Sequence, residues 1–441
     1  MILLVNPKQF EEKVYYINLG LATLAAIIRD AGYETHVVDF DSLKFRGKEL
    51  GEIPGASIVL VSGMITNLSN ICAAVEAVRR QSPTATFVLG GGAASAATNE
   101  IYEYLAKWFD YYVIGEGDEI VVPLLAFLAG RSGRRPPNLY WWNKDSRTIQ
   151  GSGTSAAPPD VTNVPMPAYE QFDTDSYVTY LRGTGRSFEI YASKGCPYDC
   201  SFCYRISGSQ VRYRKVSRVI AEMDYICRRY GIRSFSFEDD SFGMNGGWLK
   251  EFCASVRSRG YRFRFQAQLA SLKNTEKLNM MRDAGLFGIS MGIESGSPTI
   301  LRTLNKRNDL SVASEIIRYC NANNIMASGT FILGSPGESW TTVEETKRFL
   351  IDNPLHDFQL FFLSPYPGTS LFNYAMNSGM IPDTVGYVLR YKCLDELNLN
   401  LTSVPDSTLY EMRNYIVKSV ESAHGRAIAS PVSWKRDVAK I

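Results

Sequence analysis

The sequence predicts an α/β protein in three parts: a doubly wound, Rossmann-like domain over residues 1–134, a partial (β/α)6 barrel over 187–379, and a small, mainly helical C-terminal region over 380–441. Three observations carry this expectation. Short apolar runs alternate with helix-period segments in the first part, the pattern of a parallel sheet with helices on its faces. Six further strand-and-helix units repeat that alternation in the second part. Glycine closes many of these units, as a strand-end turn or a helix C-cap.

In the first part, Ile2–Val5 is a continuous apolar run and reads as a buried parallel strand. Leu19–Ala31 has helical periodicity and stops at Gly32. Glu34–Asp39 and Ala56–Val61 read as the next strands, and Asn67–Arg80 as an amphipathic helix. Thr86–Leu89 is a fourth strand closed by Gly90-Gly91-Gly92, and Tyr111–Ile114 a fifth closed by Gly115-Glu116-Gly117. Such sheets bind ligands at the carboxyl ends of their strands. This makes Ser62, Gly63, Thr66, Gly91, Gly92, Ser95, Gly115, Glu116 and Gly117 candidate binding residues. Glycine there lets the backbone approach a large flat or phosphorylated ligand, although the same glycines also serve as plain turns. Residues 135–186 read as a small hairpin and a linker.

The barrel strands are expected at Phe188–Ala192, Ser234–Glu238, Phe263–Ala267, Gly288–Ile293, Met326–Leu333 and Asp357–Leu363. Helices are expected at Ser217–Tyr230, Trp248–Arg259, Thr275–Ala284, Val312–Asn321 and Thr342–Ile351, with one more, Ser407–Ser422, near the end of the chain. Active-site loops of parallel barrels sit at the carboxyl face. There the second strand ends in Glu238-Asp239-Asp240, the fourth in Glu294 and the fifth in Gly334, while Tyr366 follows the sixth. The carboxylates Glu238, Asp239 and Asp240 either form a solvated turn or face a ligand.

Among 441 residues, 47 Lys and Arg balance 45 Asp and Glu. That argues against nucleic-acid or membrane-surface binding by bulk charge. The longest apolar run, Ile120–Ala129, contains Pro123 and is far shorter than a membrane span. Met1–Asn6 is apolar but lacks a basic leader, so no secretory signal is expected. Eight cysteines without a paired framework point to a reducing, cytoplasmic setting.

One stretch concentrates the chemistry. Ser193–Arg205 reads SKGCPYDCSFCYR and places Cys196, Cys200 and Cys203 at CxxxCxxC spacing. Structural zinc normally takes four protein ligands, and so does an ordinary 4Fe–4S cluster. No fourth cysteine is near, because Cys227 lies in a predicted helix. Spacing alone leaves open a zinc loop with a remote fourth ligand, three unrelated buried cysteines, and a cluster with one open iron.

The spacing, with Phe202 just before the last cysteine, resembles that of the radical S-adenosylmethionine (SAM) superfamily. The resemblance implies a 4Fe–4S cluster on Cys196, Cys200 and Cys203, with SAM on the open iron. It implies reduction by a donor such as flavodoxin or ferredoxin and cleavage of SAM to a 5′-deoxyadenosyl radical. It places Glu294 against SAM, the Gly334 loop beside the adenine, and Phe202, Glu238, Asp239 and Ser328 in the SAM surroundings. Residues 1–134 resemble the cobalamin-binding domain that precedes many radical SAM domains, on LGLATLAAIIRDAGYE, SGMIT, VLGGGAAS and VIGEGDE. Two departures matter. The D-x-H-x-x-G motif is missing, and the usual GG-x-H-A-T segment stands here as Gly91-Gly92-Ala93-Ala94-Ser95. His36 reads as a structural strand residue. The resemblance therefore implies base-off cobalamin without a histidine ligand; the other reading is a fold that has lost the cofactor.

These features imply an enzyme with a small-molecule substrate and neither a nucleic-acid nor a membrane partner. The leading expectation is cobalamin-dependent C-methylation of a natural-product intermediate, as in antibiotic biosynthesis. The alternative is a dehydratase or mutase acting on an amino sugar, with Asp239, Asp240 or Tyr366 as acid or base. A non-catalytic cobalamin carrier or cluster sensor leaves the SAM-site motifs unexplained. The C-terminal region is expected to close the substrate cavity. Tyr387, Tyr391, Asp395 and Glu396 are candidates to line it, and Cys393 reads as core.

Overall fold

The computed structural model describes residues 1–9, 15–154, 157–272, 275–392 and 395–426. Cys393, and the basic terminus with Lys435 and Arg436, lie outside them. The chain divides into two compact units. The first comprises Met1–Tyr180 with 204–210 and 366–391; the second comprises Leu181–Cys203 with 211–365 and the chain from Lys392.

The first unit is built on a seven-stranded sheet. Its strands are β1 (Ile2–Asn6), β2 (Thr35–Asp39), β3 (Ile58–Ser62), β4 (Thr86–Gly90), β5 (Tyr111–Val113), β6 (Leu139–Asn143) and β7 (Thr148–Gly151). Their order is β2-β1-β3-β4-β5-β6-β7, parallel through β5. β1 is buried along its whole length, as its unbroken apolar run requires. The chain reverses its direction of winding between β1 and β3, which opens a crevice at their carboxyl ends. The helix Leu19–Asp30 starts where the Asn18 side chain accepts a hydrogen bond from the Leu21 N–H at 3.0 Å, and it buries Leu21, Ala25 and Ile28. The helix Leu68–Arg79 buries Ile71, Val75 and Val78 in the core that β3 and β4 share.

Sequence reading ends this domain at residue 134. In the structure the hairpin pairs antiparallel with β5, Tyr112 opposite Tyr140 and Val113 opposite Leu139. A bare β5 edge would leave backbone groups unpaired, and the hairpin covers it. The sheet therefore runs on to residue 151 and the compact unit to Tyr180.

The second unit holds six parallel strands in sequential order: β8 (Phe188–Ile190), β11 (Ser234–Phe237), β12 (Arg262–Ala267), β13 (Leu286–Glu294), β14 (Met326–Leu333) and β15 (Asp357–Phe362). A two-residue ladder, β9 (Ser193–Lys194) against β10 (Arg212–Tyr213), follows β8. This is the expected six-unit barrel, with no β8–β15 pairing to close it. Strands β11 and β12 read Ser-Phe-Ser-Phe and Arg-Phe-Arg-Phe-Gln-Ala. Their phenylalanines are buried on the outer face, where Phe237 and Phe263, with Phe242 of the following turn, meet Phe252 of the helix Gly246–Arg259 edge-on. Ser236, Arg264 and Gln266 line the lumen. Each buried phenylalanine contributes roughly 1.5–3 kcal/mol. The C-terminal helix, Asp406–His424, packs on Trp340–Asp352, with Trp340 against Tyr415 and His424 on the Ile351 carbonyl. No described helix is long and apolar enough to cross a membrane.

A fully buried ion pair fixes the strand exit. Arg214 meets Glu222 at 2.6 Å, and both side chains are inaccessible. The Arg214 guanidinium also donates to the Tyr191 carbonyl at 2.8 Å, and its backbone N–H donates to Ala192. Removing one partner of such a pair strands a buried charge and costs about 3–5 kcal/mol. Glu222→Gln is therefore expected to lower the unfolding free energy of the second unit, measured by denaturant titration, by an amount in that range, while Arg131→Ala on the first unit's surface leaves it unchanged.

Candidate functional site

The residues Cys196, Cys200 and Cys203 lie on the loop that leaves the carboxyl end of β8, in the second unit. Cys196 is buried, Cys200 half-buried and Cys203 exposed as a residue. Burial nonetheless pushes the Cys203 thiol up to about 12, with Cys200, Asp240 and Cys196 adding to it and Lys306 opposing. The three sulfurs therefore share one electrostatic environment. Three thiolates that each bind a different iron of a cluster need not converge on one point. Among the described residues no three His, Cys, Asp or Glu side chains do so. The all-sulfur donor set suits an iron–sulfur cluster.

The loop is held from two sides. On one, the carboxyl end of β11 grips its start. Asp239 accepts from the Ala192 N–H at 2.8 Å and from the Ser193 hydroxyl at 2.5 Å. Burial raises the Asp239 carboxyl to about 7 against those donors. Asp240, also raised by burial, accepts from the Gly195 backbone N–H. Both residues thus act on the loop's backbone. Glu238 accepts from the Ser236 hydroxyl at 2.8 Å and lines the lumen.

On the other side, the turn after the helix Pro298–Thr303 braces the middle of the loop. The Ser201 N–H donates to the Leu304 carbonyl at 2.9 Å, and the Asn305 side chain donates to the Asp199 carbonyl at 2.5 Å. The next residue, Lys306, is 7% exposed and donates to Glu294 at 3.1 Å and Gln268 at 3.2 Å. Lys306 and Asn308 were not legible as site residues. A Lys-Arg-Asn-Asp run reads as a solvated turn.

Of the remaining barrel candidates, Phe202 is half-buried in the loop. Gly334 has φ +93°, and its N–H donates to Glu338 at 3.1 Å. Ser328 faces a polar lumen with Arg264, Gln266, Ser290, Thr330 and Gln359; the cavity measures about 810 Å³, open solvent included. Tyr366 belongs to the first unit, where its hydroxyl meets that of Tyr391 at 2.9 Å. Tyr387 is half-buried against Phe372 in that unit.

In the first unit the carboxyl ends of β3, β4 and β5 border a cleft of about 460 Å³, open solvent included. Leu21, Leu24, Val61, Val88, Ile120 and Leu124 make it apolar, and Ser62, Gly91, Gly115 and Gly117 form its mouth. Gly91 has φ +74°, and a Cβ there would lie 2.9 Å from the Ser62 hydroxyl and 3.0 Å from the Gly63 carbonyl. A Cβ on Gly63 would strike Ile71 at 2.7 Å, and one on Gly92 would strike Met64 at 2.9 Å. The Ser95 hydroxyl accepts from the Gly115 N–H at 2.8 Å. Thr66 sits in the short turn Ile65–Asn67, and Glu116 lies between the two loop glycines. The cleft has no histidine, and His36 is exposed on β2. The slot between sheet and helices fits the organic tail of a corrinoid held without a histidine ligand.

One pH dependence follows from Asp239. Its folded pKa of about 7 lies above the ordinary 3.8. The fold thus favours the protonated form, and this contribution is full below about pH 4 and lost as pH rises to about 7. In the metal-free chain, the parent should lose stability relative to Asp239→Asn across that window. Denaturation at pH 4.5, 6 and 7.5 checks this; a parallel pair of curves would contradict it.

Comparison with known proteins finds two domain families in the chain. Residues 190–350 match the radical SAM superfamily, and residues 12–125 match the B12 binding domain. An uncharacterized methyltransferase of Pyrococcus horikoshii is 26% identical over 82% of this chain and 79% of its own length. The anaerobic magnesium-protoporphyrin IX monomethyl ester cyclase of Cereibacter sphaeroides is 27% identical over 80% of this chain, which spans 59% of that protein. The fold is shared with the radical SAM methyltransferase TsrM from Kitasatospora setae, solved with cobalamin and a 4Fe–4S cluster: TM-score 0.75 at 19% identity, over 97% of this chain and 90% of that one. The chain carries a B12-binding domain followed by a radical SAM domain.

Proposed function

We propose that the chain is a cobalamin-dependent radical SAM methyltransferase that methylates carbon in a small polar natural-product intermediate. The observation that carries this reading is that one chain holds both a braced three-cysteine loop and a glycine-mouthed apolar cleft. When bound, the cluster with SAM supplies a hydrogen-abstracting radical and the corrinoid supplies the methyl group. Cys196, Cys200 and Cys203 would hold the cluster. Asp239, Asp240 and Asn305 fix the backbone from which those thiolates project. Glu294 and the Gly334 loop would orient SAM. Gly91, Gly92 and Gly115 leave room for the corrinoid's approach, and Leu21, Leu24 and Leu124 keep water from its tail. The polar lumen favours a substrate rich in hydrogen-bonding groups. Such fixed positioning is the protein's main contribution to a reaction whose chemistry resides in cofactors.

The test uses the full chain, reconstituted anaerobically with iron and sulfide and given hydroxocobalamin, a chemical reductant and methyl-labelled SAM. Methyl label on the corrinoid, found by mass spectrometry together with 5′-deoxyadenosine, is the expected result. 5′-Deoxyadenosine formed equally with or without cobalamin, and never any label on the corrinoid, would sink methyl transfer. Cys200→Ala should abolish 5′-deoxyadenosine. Gly91→Val, which combines a strained φ with a clash at Ser62, should weaken retention of cobalamin on gel filtration at least tenfold and leave iron content unchanged.

A further inference from the structure

We infer that the buried Glu294–Lys306 pair is an electrostatic trim on the cluster, and that Lys306 is a positioning residue which stabilises the cluster's reduced state. The inference rests on the reading of Cys196, Cys200 and Cys203 as cluster ligands. It adds Lys306, which the sequence motifs leave out.

The pair is built with evident strain. Glu294 adopts φ +71°, a left-handed backbone that a buried non-glycine residue rarely takes. It sits where the register between β13 and β14 slips, between Gly292 and Glu294. Such irregularities re-aim a side chain and persist only where the surroundings hold them. Here three groups do so. Asn308 donates from its amide to the Gly292 carbonyl at 2.8 Å and to the Ile293 carbonyl at 3.0 Å. Lys306 donates to the re-aimed carboxylate at 3.1 Å. Gly292 is needed because a Cβ there would lie 2.5 Å from the Glu294 carboxylate and 3.2 Å from the Lys306 ammonium.

The ammonium is also tied to the cysteine loop. Lys306 directly follows the turn that braces Asp199 and Ser201. Burial lowers its pKa, but Glu294, Cys200 and Cys196 outweigh that and hold it above the usual lysine value. Glu294 is itself raised by burial and lowered by Lys306. A positive charge is thus fixed where its field reaches Cys196, Cys200 and Cys203, partly cancelled by one carboxylate. Adding an electron to the cluster makes it more negative. The ammonium favours that state and the carboxylate disfavours it, most strongly where little water screens them.

The two residues should therefore act with opposite signs, which a merely structural role would not produce. The experiment is an EPR-monitored potentiometric titration of the anaerobically reconstituted full chain, without SAM or cobalamin. Glu294→Gln should move the midpoint to higher potential and Lys306→Met to lower potential, with Lys306→Arg returning close to the parent. Should Lys306→Met fail to hold iron, Glu294→Gln decides alone by the sign of its shift. Midpoints equal to the parent at equal iron content, or both variants shifting in one direction, would overturn the inference. Failure of the parent to assemble any cluster would instead remove the reading on which it rests.

Discussion

A thiol moved out of water resists ionising, and a cluster site needs three thiolates side by side. That conflict is written in Cys203, whose thiol is pushed up to about 12 by burial and by its neighbours Cys200, Asp240 and Cys196. Much of the second unit around the loop offsets it. Repelling groups on a free loop would spread apart, so the backbone is pinned at Ala192, Ser193 and Gly195 by β11, and at Asp199 and Ser201 by the turn before Lys306. The buried Arg214–Glu222 pair anchors the strand exit behind them. Two unit charges near contact interact by about 4 kcal/mol at an effective dielectric of about 20. One placed ammonium is therefore comparable in scale to several ordinary hydrogen bonds.

The first unit solves a different problem by leaving atoms out. Its cleft has apolar walls and a mouth of glycine and serine, and the positive φ of Gly91 and Gly115 shapes that mouth. A large organic ligand is bound mainly by shape and apolar area, so small residues at strand ends suffice. Buried charge would work against it. The two units thus divide the labour: one stabilises charge in a narrow space, the other clears space for bulk.

Much of this was legible in the sequence. Strand and helix positions in both units followed from apolar period and glycine punctuation, because parallel strands buried on both faces read as unbroken apolar runs. The cysteine loop was legible because its three cysteines are local in sequence. The hairpin's role was not, since pairing between Tyr112 and Tyr140 is a long-range contact that period does not encode. Asp239 and Asp240 were noticed as carboxylates at a strand end, but sequence could not show that they face backbone donors. Lys306 and Asn308 were missed altogether. Their significance comes from the slip in register at Glu294, and a β-bulge at a non-glycine residue leaves no mark in composition or period.

The barrel lumen bears on the substrate in a way that the loop does not. Parallel barrels usually fill their interiors with branched apolar side chains. Here Ser236 lies across from Arg264, and Gln266, Ser290 and Ser328 occupy one level of the sheet. The strands alternate polar and apolar, so these side chains do not form a dry apolar core; Ser236 donates to Glu238, while Gln266, Ser290 and Ser328 face the lumen. A guest or water that hydrogen-bonds here avoids the roughly 1–3 kcal/mol cost of burying a polar group unpaired. A hydrogen-bonding guest replaces that water without the loss. The same alternation that buries the phenylalanines outside thus gives the lumen its polar lining.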